Sequence, residues 1–175
     1  MTQDRDALLD HLIRDELPSL ARFFRTKRVP PSDVLDLVQS TMLAYVEGDG
    51  PKEAGKEKQY LMGIARNKWF HYLDTKHKRV GEAFDSEIHG VSRLGPSLSS
   101  ALDKRNRVVA ALQGLTGNEQ MAVELRHGEE MKIDEVAHAM DKSPAPVTRY
   151  LASAEEKLRA QLGDMSAVSE TYKNL

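Results

Sequence analysis

Side chains able to act on a nucleic acid gather in two stretches of this sequence. The first is EVAHAMDKSPAPVTRYLASA, residues 135–154. It places Val136, Ala137, Met140, Val147 and Leu151 where a helix-turn-helix has its core, and the small Ala137 lets the second helix approach the first. Thr148, Arg149, Ala152 and Ser153 then share the outward face of the second helix, with Lys142 and Ser143 at its mouth. Small polar groups and an arginine on such a face can reach base edges in a major groove. The second stretch is EKQYLMGIARNKWFHYLDTKHK, residues 57–78. Gly63, Arg66, Asn67, Phe70 and His71 lie opposite an inward face of Leu61, Ala65, Trp69 and Tyr72. Residues 66–79 hold five Lys/Arg and one Asp. Basic groups that track phosphates, beside a ring that can stack on an unpaired base, are the chemistry of single-strand binding. An ordinary αα-hairpin also fits the first stretch, and a solvated basic face with a partly buried Phe70 also fits the second.

Other chemistry finds no residues. There is no cysteine, so disulfides, thiolate metal sites and cysteine nucleophiles are excluded. His71 and His77 are six apart and off one helical face, and HExxH, a phosphate-binding glycine loop and a nucleophile elbow are absent. No enzyme activity, metal or cofactor is expected.

Helices must position these groups. Leu8, Leu9, Leu12, Ile13, Leu17, Leu20, Phe23 and Phe24 recur at helical spacing over 7–26, with Pro18 placed to kink or split that helix. Ser32 is an expected N-cap for a helix over 33–47, and Gly48 to Gly55 form a loop before the basic helix. Residues 80–98 contain three glycines and a proline with weak periodicity, and they read as a linker. Helical patterning resumes over 99–113, 117–127, 132–140 and 144–161. Ser143 is placed to cap the last of these, and Pro144 and Pro146 fall in its first turn, where amides have no intrahelical partner. Residues 163–175 are polar and expected to be loose. The expectation is an all-α chain: one helical domain over 1–79, a flexible linker over 80–98, a helix-turn-helix domain over 99–162 and a C-terminal tail.

Composition bounds the function. With 25 Lys+Arg against 27 Asp+Glu, the 175 residues carry a formal charge of −2, which excludes a globally basic nucleic-acid binder. Locally the charge is uneven. Residues 22–28 hold four basic side chains and no acidic one, while 1–16 and 119–135 are acidic. Glu155 and Glu156 place negative charge on the second helix of the helix-turn-helix, which phosphate contact disfavours. The polar, acidic start is unlike a secretory signal, and no segment is apolar for long enough to span a bilayer, so a cytoplasmic protein is expected.

The helix over 33–47 has Val34, Leu37, Val38, Thr41, Met42 and Tyr45 on its core face. Opposite are Asp36, Gln39 and Ser40 with Leu43 among them, either a protein-docking patch or a lone surface leucine.

In this order the sequence resembles a bacterial RNA polymerase sigma factor of the extracytoplasmic-function group, over most of residues 7–162. The resemblance is carried by SDVLDLVQSTMLAYV (32–46), QYLMGIARNKWFHYLDTKHKR (59–79) and LQGLTGNEQMAVELRHGEEMKIDEVAHAM (112–140) through VTRYLASAEEKLRAQL (147–162). It implies that 1–79 is sigma region 2, a helical bundle, and 99–162 is sigma region 4. It implies that Asp33, Asp36, Gln39, Ser40 and Leu43 dock on the polymerase β′ clamp. Tyr60, Gly63, Ile64, Arg66, Asn67, Phe70 and His71 would bind the melted promoter element, with the loop 48–58 forming part of a pocket for a flipped base. Lys142, Ser143, Thr148, Arg149, Ala152 and Ser153 would bind the upstream element as duplex. The implied partners are core RNA polymerase, through its β′ clamp and β flap, promoter DNA both double- and single-stranded, and an anti-sigma factor. The sequence departs from the family pattern at Leu35, where an acidic residue is usual, in the loop 48–58, which lacks an aromatic, and in the sparse basic residues of the recognition helix. A helix-turn-helix regulator whose first domain serves dimerisation or signal reception, and a purely protein-binding helical adaptor, are the competing readings.

Overall fold

The computed structural model of the chain describes residues 2–27, 29–80 and 104–173. The described residues form eight α-helices and one π-helical turn: α1 (Thr2–Thr26), α2 (Pro31–Glu47), α3 (Glu57–Val80), α4 (Lys104–Gln113), α5 (Gly117–Val123) continuing as the π-turn Glu124–Gly128, α6 (Ile133–Ala139), α7 (Pro144–Leu162) and α8 (Ser166–Lys173). The chain divides into two compact units, 1–69 and 70–175. The division falls inside α3, ahead of the boundary at 79 expected from sequence. The linker expected over 80–98 lies almost wholly outside the described residues.

The first unit is built on the apolar stripes of its three helices. Leu20, Phe23 and Phe24 of α1, Val34, Val38, Thr41 and Tyr45 of α2, and Leu61, Met62, Ala65 and Trp69 of α3 are buried. Phe23 meets the ring of Trp69 edge-on at 6.5 Å, an arrangement the ring quadrupoles favour. Trp69 is therefore core, as its face of the helix predicts. Helix α1 runs through Pro18 without a break. The proline removes only the bond to the carbonyl of Arg14, and it lies at an exposed position, where water can satisfy that carbonyl. Helix α2 starts earlier than its periodicity predicts. Pro30 is its N-cap and Pro31 opens it with a preset φ, so Ser32 does not cap it and instead donates to Asp33 Oδ1 at 3.1 Å.

The second unit packs α5, α6 and α4 against α7, and α8 against α4 and the π-turn. Residues 163–173 of the expected loose tail are thus ordered, as a turn and a helix. Asp164 Oδ1 accepts from the Ser166 amide to launch α8, whose Ala167, Val168, Thr171 and Tyr172 are buried. Gly128 lets this happen, because a β-carbon there would stand 3.2 Å from the Tyr172 ring and 3.0 Å from Glu124 Oε1. No helix among the described residues is long and apolar enough to cross a membrane.

Candidate nucleic-acid and docking surfaces

Helix α6 ends in a Schellman motif that sets the turn into α7. The Lys142 amide donates to the Ala137 carbonyl at 2.9 Å and the Asp141 amide to His138 at 3.1 Å. The motif requires a left-handed residue between helices, and Asp141 supplies it at φ 51°. Val136, Ala137, Met140, Val147 and Leu151 are all buried, so the helix-turn-helix core is the one its spacing predicts. Ser143 occupies the N-cap of α7 with extended backbone, but its side chain makes no capping bond. Pro144 at the first helical position presets the backbone, and Pro146 at the third removes one of the two amides such a cap would serve.

The outward side of α7 is short of cation. Thr148, Arg149 and Ala152 are exposed, and the Thr148 hydroxyl donates back to the Pro144 carbonyl at 3.0 Å. Lys142 is half-buried, its ammonium 5.8 Å from the Tyr150 ring centroid. Glu156 is exposed, and Glu155 pairs with Arg159 at 3.6 Å. Ser153 keeps the helical position its spacing gives but is less exposed than Arg149 and Ala152. It is half-buried, and its hydroxyl donates to Glu119 Oε1 at 2.6 Å.

Glu119 is a buried polar residue of this unit that motif reading passed over. It closes a capping box with Thr116, and both oxygens of its buried carboxylate also meet Lys157 Nζ, at 2.7 and 2.8 Å. Burial works to raise its pKa, but the hydrogen bonds from Lys157, Ser153 and the Thr116 amide, with the Lys157 charge, prevail and hold it below the ordinary glutamate value. The Thr-x-x-Glu spacing at 116–119 was the available signal.

On α3 the predicted residues lie along one helix at differing depth. Asn67 and His71 are exposed, while Tyr60, Gly63, Ile64, Arg66 and Phe70 are half-buried. Arg66 donates to Asn67 Oδ1 at 3.2 Å, which orients two polar groups as a pair. Tyr60 packs on Tyr45 with ring centroids 5.6 Å apart. Burial, then the charges of Glu57 and Tyr60, push the Tyr45 phenol above its usual pKa. Tyr72, expected inward, is half-buried with Lys76 Nζ 5.1 Å from its ring centroid. One basic residue of 22–28 is spent inside: Lys27 is buried, its ammonium 3.9 Å from the Phe23 ring centroid and 5.0 Å from that of Trp69.

The far side of α2 presents Asp36 and Gln39 to solvent, with Leu43 57% exposed and Leu35 60% exposed beside them. Asp33 is half-buried. Ser40 is half-buried too, and its hydroxyl donates to the Leu37 carbonyl at 3.1 Å. Two leucines, not one, therefore stand out from this polar helix face. Among the described residues no group of three or more His, Cys, Asp or Glu could hold a metal ion.

No protein-family model matches the sequence, and no curated protein matches it. Among solved structures the fold is similar to that of the sigma factor RpoE from Bartonella quintana, crystallised in complex with the anti-sigma factor NepR. The TM-score is 0.68 at 20% sequence identity, and the match covers 88% of this chain and 96% of that one. Neither unit alone is long enough to supply that coverage, so the likeness spans both.

Proposed function

We propose that this chain is a sigma factor of the extracytoplasmic-function type, a non-catalytic subunit that directs core RNA polymerase to promoters. The observation that carries the reading is the sigma-factor fold across both units, joined to the three motif stretches that resemble the family at its sites. In this reading Asp33, Asp36, Gln39, Ser40 and Leu43 dock on the polymerase β′ clamp, with the exposed Leu35 and Leu43 supplying the apolar contact that interfaces bury at their centre. Residues 1–79 bind polymerase and hold the melted promoter element on Tyr60, Gly63, Ile64, Arg66, Asn67, Phe70 and His71. Residues 99–162 read duplex DNA upstream through Lys142, Ser143, Thr148, Arg149 and Ala152. The sparse cations of α7 keep free affinity for DNA low, and polymerase brings both readers to one promoter at high effective concentration. An anti-sigma partner, of the kind on which the structural neighbour was solved, would silence the factor by covering these faces.

The test is transcription in vitro with core polymerase on a pool of genomic fragments. Promoter-specific initiation that requires the chain is expected. Asp36→Lys should abolish core binding with the helical content retained. Full core binding by that variant, or no specific initiation by the wild type, would sink the reading.

A further inference from the structure

One carboxylate holds the middle of the recognition helix. Glu119 sits in the first turn of α5 with its side chain 6% exposed. Its Oε2 accepts from the Thr116 amide at 2.8 Å and its Oε1 from Ser153 Oγ at 2.6 Å, while Lys157 Nζ bonds both oxygens. Those four bonds match the roughly four lone-pair sites of a carboxylate, so the group is fully used by the protein. Ser153 and Lys157 stand one turn apart on α7. Burial of Val147, Leu151 and Leu158 sets which side of the helix faces the core, and the directional, charge-assisted bonds to Ser153 and Lys157 fix its azimuth more finely. Arg149 lies one turn before Ser153 on the adjoining stripe, so the azimuth fixed at 153 and 157 is the azimuth at which Arg149 projects.

We infer that Glu119 is a positioning residue that sets the rotation of the recognition helix, and with it the base edges that Arg149 and Thr148 reach. Ser153 belongs to this latch and is not a reader of DNA. The inference rests on the proposed role of α7 in duplex recognition.

The experiment uses the full chain on its core polymerase and a library of duplexes randomised in the upstream element, with the bound fraction sequenced. Arg149→Ala should relax preference at one or two base positions. Glu119→Gln should relax the same positions by about tenfold, and should add little in the Arg149→Ala background, because coupled residues are not additive. A wild-type profile from Glu119→Gln alongside an altered Arg149→Ala profile overturns the positioning role, as does a full additive loss in the double variant. An unchanged profile from Arg149→Ala overturns the reading of α7 itself, and the latch with it. Should Glu119→Gln fail to fold, Glu119→Gln with Lys157→Met removes both charges together and leaves no unpaired ion in the interior. The same relaxed profile is expected from that variant, and a wild-type profile from it overturns the inference.

Discussion

A β-carbon at Gly48 would stand 2.5 Å from the hydroxyl oxygen of Tyr60. Gly48 has an ordinary φ of −79°, so the demand for glycine is one of space and not of backbone freedom. The pair fixes the start of the 48–58 loop against a residue assigned to the melted promoter element. Gly48→Ala should cost about 1–3 kcal/mol, the usual range for an added methyl in a tight site. Adding Tyr60→Phe should recover part of that loss. The recovery is incomplete because the Ala44 carbonyl also lies 3.0 Å from the new methyl. Urea unfolding of the two variants checks the order.

Asp141 carries the left-handed conformation of the helix-turn-helix turn, where a side chain normally costs energy. Asp141→Gly should stabilise the second unit by about 0.5–1 kcal/mol, and Asp141→Val should destabilise it by more than that. Thermal midpoints measured by circular dichroism separate the two signs. A destabilised glycine variant would mean that the Asp141 side chain contributes something its backbone does not.

Two groups make the second unit sensitive to acid. His127 has its pKa lowered by burial, with Glu155 opposing and Arg126 adding to the shift. A histidine depressed in the folded state contributes stability that is present above its unfolded value, about 6.5, and is lost as pH falls below it. Glu119 is also depressed, so its contribution is present above its unfolded value of about 4.3 and is lost as pH falls through the folded one. The thermal midpoint should therefore fall in two stages on acidification. His127→Asn should remove the upper stage and Glu119→Gln the lower, read from unfolding curves between pH 3 and 8.

Helix α8 is part of the second core. Val168 is fully buried and Tyr172 nearly so. Val168→Ala should cost about 2 kcal/mol, and deleting residues 163–175 should cost more, because it uncovers the apolar surface of the π-turn and α4. Amide exchange in α4 and in the π-turn should accelerate in the truncated chain, while exchange in α1 and α2 stays as it was.

Long periodic segments made most of the fold legible. α1, α2, α3 and α7 each repeat their apolar residues over several turns, and the helix-turn-helix core followed from five positions. The misread details are those decided by one neighbour in space. Ser32 and Ser143 have the chemistry of caps, but prolines already opened both helices. Lys27 counted as a surface cation until the rings of Phe23 and Trp69 enclosed it. Ser153 shares a helical face with Arg149 by spacing, yet a glutamate 34 residues earlier claims its hydroxyl. α8 escaped because its four buried residues are diluted among Ser, Glu and Lys over barely two turns. Most site residues on α3 and α2 were read from helical faces, while Asp33, Tyr60 and Ile64 came from family resemblance, since half-buried residues like these declare neither core nor surface.

The order of elements along the chain has a consequence for synthesis. Everything that builds the first unit precedes residue 70, so its core can close while the rest of the chain is still being made. The second unit differs, because Val168 and Tyr172 leave the ribosome after every helix they cover. Under the proposed function, a newborn molecule thus completes the surface assigned to polymerase before the one assigned to duplex DNA.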